Sequence, residues 1–240
     1  MPRNNRPETP RTGRFAKATN GPAGGPPTRR VATPAGGRFE VRIIGGEWRG
    51  RKLHFPPSAG LRPTPDRVRE TVFNWLQFEL GGARCLDLFA GSGALGFEAL
   101  SRGAGEVVFV ERDAVSARAI RDMLAQLRCD RGRVEQVDAL AWLECGPPGS
   151  KSFDIVFLDP PYGEAWLSVL AEKLESGGWL APGAWIYLED AAARGEPRLP
   201  AGWTLLRSKR AGDVGYHLAR RGIPAHNNDH QARGLSLIHI

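Results

Sequence analysis

The chain has 240 residues, 41% hydrophobic and 25% charged, with a net charge of +7 at pH 7. That is enough for one domain with a substantial core plus tails, and no apolar stretch is long enough for a membrane span or a secretory signal, so a cytoplasmic protein is expected. Cys85, Cys129 and Cys145 lack metal-ligand spacing and point to a reducing compartment, and the five scattered histidines argue no metal site.

The charge is uneven. Residues 1–38 hold eight Lys/Arg against one acid, with seven prolines, six glycines and no Leu, Ile, Trp or Tyr. Such a segment cannot bury enough apolar area to fold, and is predicted to be a disordered basic tail whose charge suits nonspecific attraction to RNA. The remainder, with 25 basic and 25 acidic residues, is neutral overall. Within it, Arg42, Arg49, Arg51, Lys52, Arg62, Arg67 and Arg69 stand against only Glu47 and Asp66 between positions 42 and 69. Residues 39–44 and 47–55 read as strands pairing around Gly45-Gly46. A basic hairpin with Trp48 and Phe55 interleaved suits single-stranded or looped RNA, against the blander reading of a solvated face. Thr64 is expected to cap a helix begun by Pro65, with Val68, Val72, Leu76 and Leu80 as its core stripe.

Next, residues 84–89 read as a short buried strand running into Gly91-Ser-Gly93-Ala-Leu-Gly96 and a helix. Alone, that glycine pattern describes any turn that lets a ligand approach the backbone at a helix N-terminus. Asp87 inside the strand weighs against a pyrophosphate and favours a cationic ligand such as the sulfonium of S-adenosylmethionine. The strand at 107–110 ends at Glu111, where nucleoside-binding α/β folds place the ribose carboxylate. A third strand at 133–137 ends at Asp138, a candidate partner for an adenine amino group.

The run at 153–158 stops at Asp159-Pro160-Pro161-Tyr162. An acid, a carbonyl followed by a residue with no N–H, and a flat ring at a sheet edge suit a planar amine. Such a nitrogen has its lone pair drawn into the π system; two acceptors gripping its hydrogens free that pair for attack. Asp159 and the Pro160 carbonyl are the acceptors, and Tyr162 offers a stacking face. One acid at a strand end is usually a helix cap. Four in succession, Asp87, Glu111, Asp138 and Asp159, can meet around one crevice at the carboxyl ends of parallel strands. Residues 203–209 and 214–220 read as an antiparallel hairpin closing one edge, and 222–240 as a C-terminal tail.

Asp87-Leu-Phe-Ala-Gly-Ser-Gly, Ser101-Arg-Gly-Ala, Glu111 and Asp159-Pro-Pro-Tyr162 resemble the motifs of class I S-adenosylmethionine-dependent methyltransferases. The stretches Arg42-Ile-Ile-Gly-Gly-Glu-Trp-Arg-Gly-Arg-Lys-Leu53 and Gly60-Leu-Arg-Pro-Thr-Pro-Asp-Arg-Val-Arg-Glu-Thr-Val-Phe-Asn-Trp-Leu76 narrow the resemblance to the RsmD family of 16S rRNA guanine-N2 methyltransferases, as does Lys209-Arg-Ala-Gly-Asp-Val-Gly-Tyr216. Pro65 departs from the threonine or serine expected there. The resemblance covers about residues 40–219 and implies an α/β fold, a doubly wound, Rossmann-like, seven-stranded, mostly parallel sheet with an N-terminal β-hairpin. It implies a methyltransferase domain at 39–221, whose RNA-binding hairpin is 39–60. S-adenosylmethionine is the implied donor and a guanine in 16S rRNA of the small subunit the acceptor; a monomer without metal is expected. Asp159, Pro160 and Tyr162 would hold the base, and Asp87, Gly91, Gly93, Gly96, Glu111, Asp138, Arg62 and Thr64 the cofactor. Arg42, Trp48, Arg49, Arg51, Lys52, Arg67 and Arg69 would meet the RNA. For Arg62, Thr64, Arg67 and Arg69, an ion-pair cluster at a helix start is nearly as good a reading.

Two rivals stay open. Asp-Pro-Pro-Tyr is shared with DNA adenine-N6 methyltransferases, although a neutral core of about 180 residues leaves little room for a target-recognition region. An RNA-binding assembly factor without catalysis is the other, and the intact acids and glycines speak against it. Deleting residues 1–38 should leave folding and cofactor binding intact and flatten the salt dependence of RNA binding by about 0.7 to 0.9 log units for each phosphate that the tail neutralises; an unchanged slope in a filter-binding titration would show that the tail does not touch RNA.

Overall fold

The computed structural model describes residues 39–55, 64–147, 151–161 and 166–223. The expected tail at 1–38, most of the one at 222–240, Arg62 and Tyr162 lie outside the described residues.

Seven strands form the main sheet: β3 (Arg84–Asp87), β4 (Glu106–Val110), β5 (Gly132–Glu135), β6 (Phe153–Leu158), β7 (Leu180–Ala191), β8 (Trp203–Ala211) and β9 (Val214–Arg221). Their order is β5-β4-β3-β6-β7-β9-β8. The first five run parallel, and β9 enters antiparallel beside β7 with β8 outside it. Five helices, α1 (Asp66–Trp75), α2 (Ala94–Ser101), α3 (Ala114–Gln126), α4 (Ala139–Glu144) and α5 (Trp166–Ser176), cover both faces. In β6, every residue but Asp154 is buried, as a central parallel strand covered on both sides requires. Alternation then sorts the core. Cys85, Ile155 and Phe157 pack with Val72 and Phe73 of α1, Phe97 of α2 and Ile120 of α3. Leu86, Val156 and Leu158 face Trp142 of α4 and Leu170 of α5. The chain reverses its winding direction between β3 and β6, and in open sheets the ligand crevice opens outside the carboxyl ends at that point.

Three local expectations are corrected. Helix α1 stops at Trp75, so Leu76 and Leu80, both buried, join the core from the turn beyond it. Pro65 occupies the cap position and no side chain caps the helix; the Thr64 hydroxyl turns instead to Asp159. The N-terminal hairpin is β1 (Phe39–Arg42) paired with β2 (Lys52–Phe55), Arg42 opposite Lys52. Its connection is therefore residues 43–51 rather than a two-residue turn at Gly45-Gly46.

Those glycines dock the hairpin. Helix α2 is buried at all eight positions, including Glu98 at 0% exposure. An unpaired carboxylate there would cost several kcal/mol. Glu98 accepts from the Ile44 and Gly45 N–H groups at 2.8 Å each and from Arg102 Nε at 2.7 Å, with Arg69 Nη1 at 3.6 Å. The Ser101 hydroxyl donates to the Gly45 carbonyl, and Glu47 N–H donates to the Ser101 carbonyl. Gly46, at φ +77°, lies so close that a Cβ would run into the Ser101 carbonyl, whereas Gly50, at φ +84°, has open space. Both Gly46→Ala and Gly50→Ala should lose about 1–2 kcal/mol to left-handed backbone. Only Gly46→Ala must also displace the docked peptide, so its thermal midpoint should fall clearly further; equal shifts would refute the docking role.

Candidate active site

Parallel pairing places the carboxyl ends of β3, β4, β6 and β7 along one edge. Asp87 ends β3, opposite Phe157 of β6, and is buried, its Oδ2 accepting the Gly96 N–H at 3.0 Å. Burial pushes its carboxyl up to about 7, the charge of Glu111 adds to this, and the Gly96 N–H partly offsets it. The glycine turn brings the chain from β3 to the start of α2. Gly91 and Gly93 have φ of +51° and +72°, Gly93 being the residue that precedes the helix. A Cβ on Gly96 would overlap the Phe109 ring, so this glycine seats α2 on β4. Glu111 follows β4 and braces the turn, one oxygen accepting Gly91 N–H and the other Asp113 N–H, each at 2.7 Å.

Asp138 departs from expectation. Strand β5 ends at Glu135, and Asp138 caps α4, its Oδ1 accepting from Leu140 N–H at 3.0 Å and Ala141 N–H at 3.2 Å. It is thus the helix cap that a lone acid after a strand most often proves to be.

Asp159 is the first residue past β6, half-buried, with Pro160 buried behind it and Pro161 exposed. The Thr64 hydroxyl donates to its Oδ2 at 3.3 Å. Burial raises the Asp159 carboxyl well above the carboxylate range, the charges of Glu189 and then Asp87 raise it further, and Thr64 pulls it down. Glu189 was not among the sequence candidates. Leu158 pairs with Leu188, so the next residues, Asp159 and Glu189, stand side by side; Glu189 is buried and accepts the Tyr187 hydroxyl at 2.6 Å. The signal existed: 185–190 is one more apolar run ending in acids.

Of the candidate RNA contacts, Arg42, Arg49, Arg51, Lys52 and Arg67 are exposed, Lys52 pairing with Glu40 at 3.0 Å. Two candidates fail for a base or phosphate. Trp48 is 6% exposed and packed in the core, leaving no open ring face, and Phe55 is buried likewise. Arg69 is 1% exposed, bonded to Asp66 and to the Arg42 carbonyl, and belongs to the Glu98 cluster. The ion-pair reading of the helix start holds for it. Among the described residues, no group of His, Cys, Asp or Glu is arranged to hold a metal ion, and no helix is long and apolar enough to cross a membrane.

A seven-stranded sheet of this order, with a glycine turn after β3 and acids at successive strand ends, is the class I methyltransferase fold. Comparison with known proteins agrees. A family model described as conserved hypothetical protein 95 matches residues 41–220. Ribosomal RNA small subunit methyltransferase D of Escherichia coli is 50% identical over 187 residues, 77% of this chain and 92% of that protein. Its Haemophilus influenzae counterpart is 45% identical over 197 residues, 79% of this chain and 98% of that protein. The solved structure of the Escherichia coli protein YhhF superposes with a TM-score of 0.70 at 45% identity, covering 77% of this chain and 99% of the other. The chain belongs to this family, the RsmD family of rRNA methyltransferases.

The raised carboxyl of Asp87 has a sign. Below about pH 4 it is protonated in both folded and unfolded chains. Between about 4 and 7 only the unfolded chain ionises, so stability falls as pH rises through that window. Asp87→Asn keeps an oxygen for the Gly96 N–H and removes the titration. Its unfolding midpoint relative to wild type, by calorimetry without ligand, should climb from pH 4 to pH 8; a pH-independent difference would show that Asp87 ionises normally.

Proposed function

We propose that this protein methylates the exocyclic N2 of an unpaired guanine in 16S rRNA, on the small ribosomal subunit, with S-adenosylmethionine as donor. The observation that carries the reading is the placement of Asp159 and Asp87 at neighbouring strand ends where the winding reverses.

The residues present fit the cofactor. Asp87 is a carboxylate buried at a cost that a cationic group relieves, and Glu111 stands one strand away, bonded to the first glycine of the turn. When bound, S-adenosylmethionine supplies an electrophilic methyl on a sulfonium. Asp87 and the glycine turn would hold its amino-acid end, Glu111 the ribose hydroxyls, and Asp138, through the oxygen its cap leaves open, the adenine.

Asp159 and the Pro160 carbonyl would take the two hydrogens of the amine, directing its lone pair outward, while Tyr162 stacks the base. Thr64 holds Asp159 in place and favours its ionised form, the only form with no proton of its own to aim at the amine. A guanine paired in a helix cannot offer both hydrogens to a strand-end crevice, so the target is unpaired or flipped out. The same grip would hold adenine N6; the preference for guanine rests on the resemblance of the hairpin and α1 stretches to the RsmD family.

Asp159→Ala should cut methyl transfer by at least about a hundredfold, as loss of one preorganised group does, while calorimetric cofactor affinity changes little. Incubating undermethylated subunits with labelled cofactor, then digesting the RNA, should yield N2-methylguanosine. Recovery of N6-methyladenosine, or label confined to DNA, would overturn the assignment.

A further inference from the structure

Asp87, Glu111, Asp159 and Glu189 gather at the carboxyl ends of neighbouring strands, a group that suits a cationic cofactor and an amine but repels a polyanion. Cations at the rim must offset this, and the N-terminal hairpin and α1 supply fewer than their sequence promised: Arg69 of α1 is buried in an ion-pair cluster and Lys52 of the hairpin is paired with Glu40. Another row of cations is present. Strand β8 forms the outer edge of the sheet, and its residues 206–210, Leu-Arg-Ser-Lys-Arg, are all exposed. Among the described residues none of Arg207, Lys209 and Arg210 has an acidic partner. Arg207 donates to the Leu206 carbonyl at 3.0 Å and Arg210 to the Gly212 carbonyl at 2.7 Å, which orients each guanidinium.

Register ties this strand to the site. Asp159 stands beside Glu189, Glu189 pairs with Tyr216 on β9, and Tyr216 pairs with Lys209 on β8. Paired residues share a face, so this row crosses the sheet on the side covered by α1. Trp75, at the end of α1, stacks on Tyr216 with centroids 5.6 Å apart, and Lys209 Nζ lies 5.8 Å from the Trp75 ring. The aromatic pair thus supports the lysine stem while its ammonium stays exposed. Arg207, opposite Leu218, lies on the same face.

Three strand spacings of about 4.8 Å separate Lys209 from Asp159, about 14 Å in all. That exceeds the screening length of about 8–10 Å at ordinary salt, so Lys209 cannot act on the target base through its field. It must act by contact, on a phosphate a short way along the strand.

We propose that Arg207 and Lys209 on β8, which share the face of Asp159, hold the phosphate backbone of the single-stranded RNA flanking the target base. This rests on the reading of the substrate as RNA. The competing role for such residues is edge protection, since charged side chains on an outer strand discourage pairing with another molecule.

The test is the double variant Arg207→Gln, Lys209→Gln, assayed with undermethylated small subunits across a range of salt. KM for the RNA should rise at least about tenfold with kcat within about twofold and cofactor affinity unchanged. The slope of log affinity against log salt should fall by about 1.4, two single-strand phosphates at about 0.7 each. Arg118→Gln with Arg121→Gln on α3, at the β5 end of the sheet, should leave both quantities alone. An unchanged KM and slope in the double variant, with wild type active, would overturn this proposal alone, as would self-association by light scattering with RNA affinity intact. Wild type failing to act on rRNA would instead sink the parent reading, and with it this one.

Discussion

Parallel pairing of β3 with β6, Asp87 opposite Phe157, is the constraint on which the site depends. These strands are about 70 residues apart in sequence, and the winding reverses between them. Their loops therefore leave in opposite directions and open a crevice between Asp87 and Asp159. The next pairing, β6 with β7, adds Glu189 beside Asp159. Three carboxylates thus share a small, largely desolvated volume. Hydrophobic packing on both faces of the sheet holds them there against their own repulsion.

That repulsion is visible in the acids themselves. Asp87 and Asp159 both resist ionisation, with burial the foremost cause and neighbouring carboxylates next. Without ligands such a site is destabilising; with a cation in place it is not. Stability given up locally for binding is a common feature of functional sites. Among the described residues, the partners that soften it include a backbone N–H for Asp87, a threonine hydroxyl for Asp159 and a tyrosine hydroxyl for Glu189.

The second buried acid system has the opposite character. Glu98 accepts two backbone N–H groups and the Arg102 Nε–H, with the Arg69 guanidinium ion-paired at 3.6 Å, and it fastens the N-terminal hairpin to α2. Arg69 links this cluster to the first turn of α1, and Thr64, just before that helix, reaches Asp159. Hairpin, α1 and the end of β6 are thereby joined by contacts that run from the Arg42 carbonyl through Arg69 and Asp66 to the start of α1, and from Thr64 to Asp159.

The sheet was legible because its strands are short apolar runs closed by acids or glycines, a pattern set by local chemistry. The β8–β9 hairpin, the glycine turn, Asp87, Glu111 and Asp159 were readable for the same reason. Local pattern failed where a partner distant in sequence decides. Thr64 reads as a helix cap until β6 brings Asp159 to it; Trp48 and Arg69 read as RNA-binding residues until α2 buries them; Gly45-Gly46 reads as a turn until Ser101 docks against it. By itself the sequence determined which strands form, where their acids fall and the sign of the ligand those acids favour, since these follow from periodicity and charge. Only the tertiary structure decided which acids become neighbours and which cations remain exposed, because strand order and burial are settled by packing between segments that no local window contains.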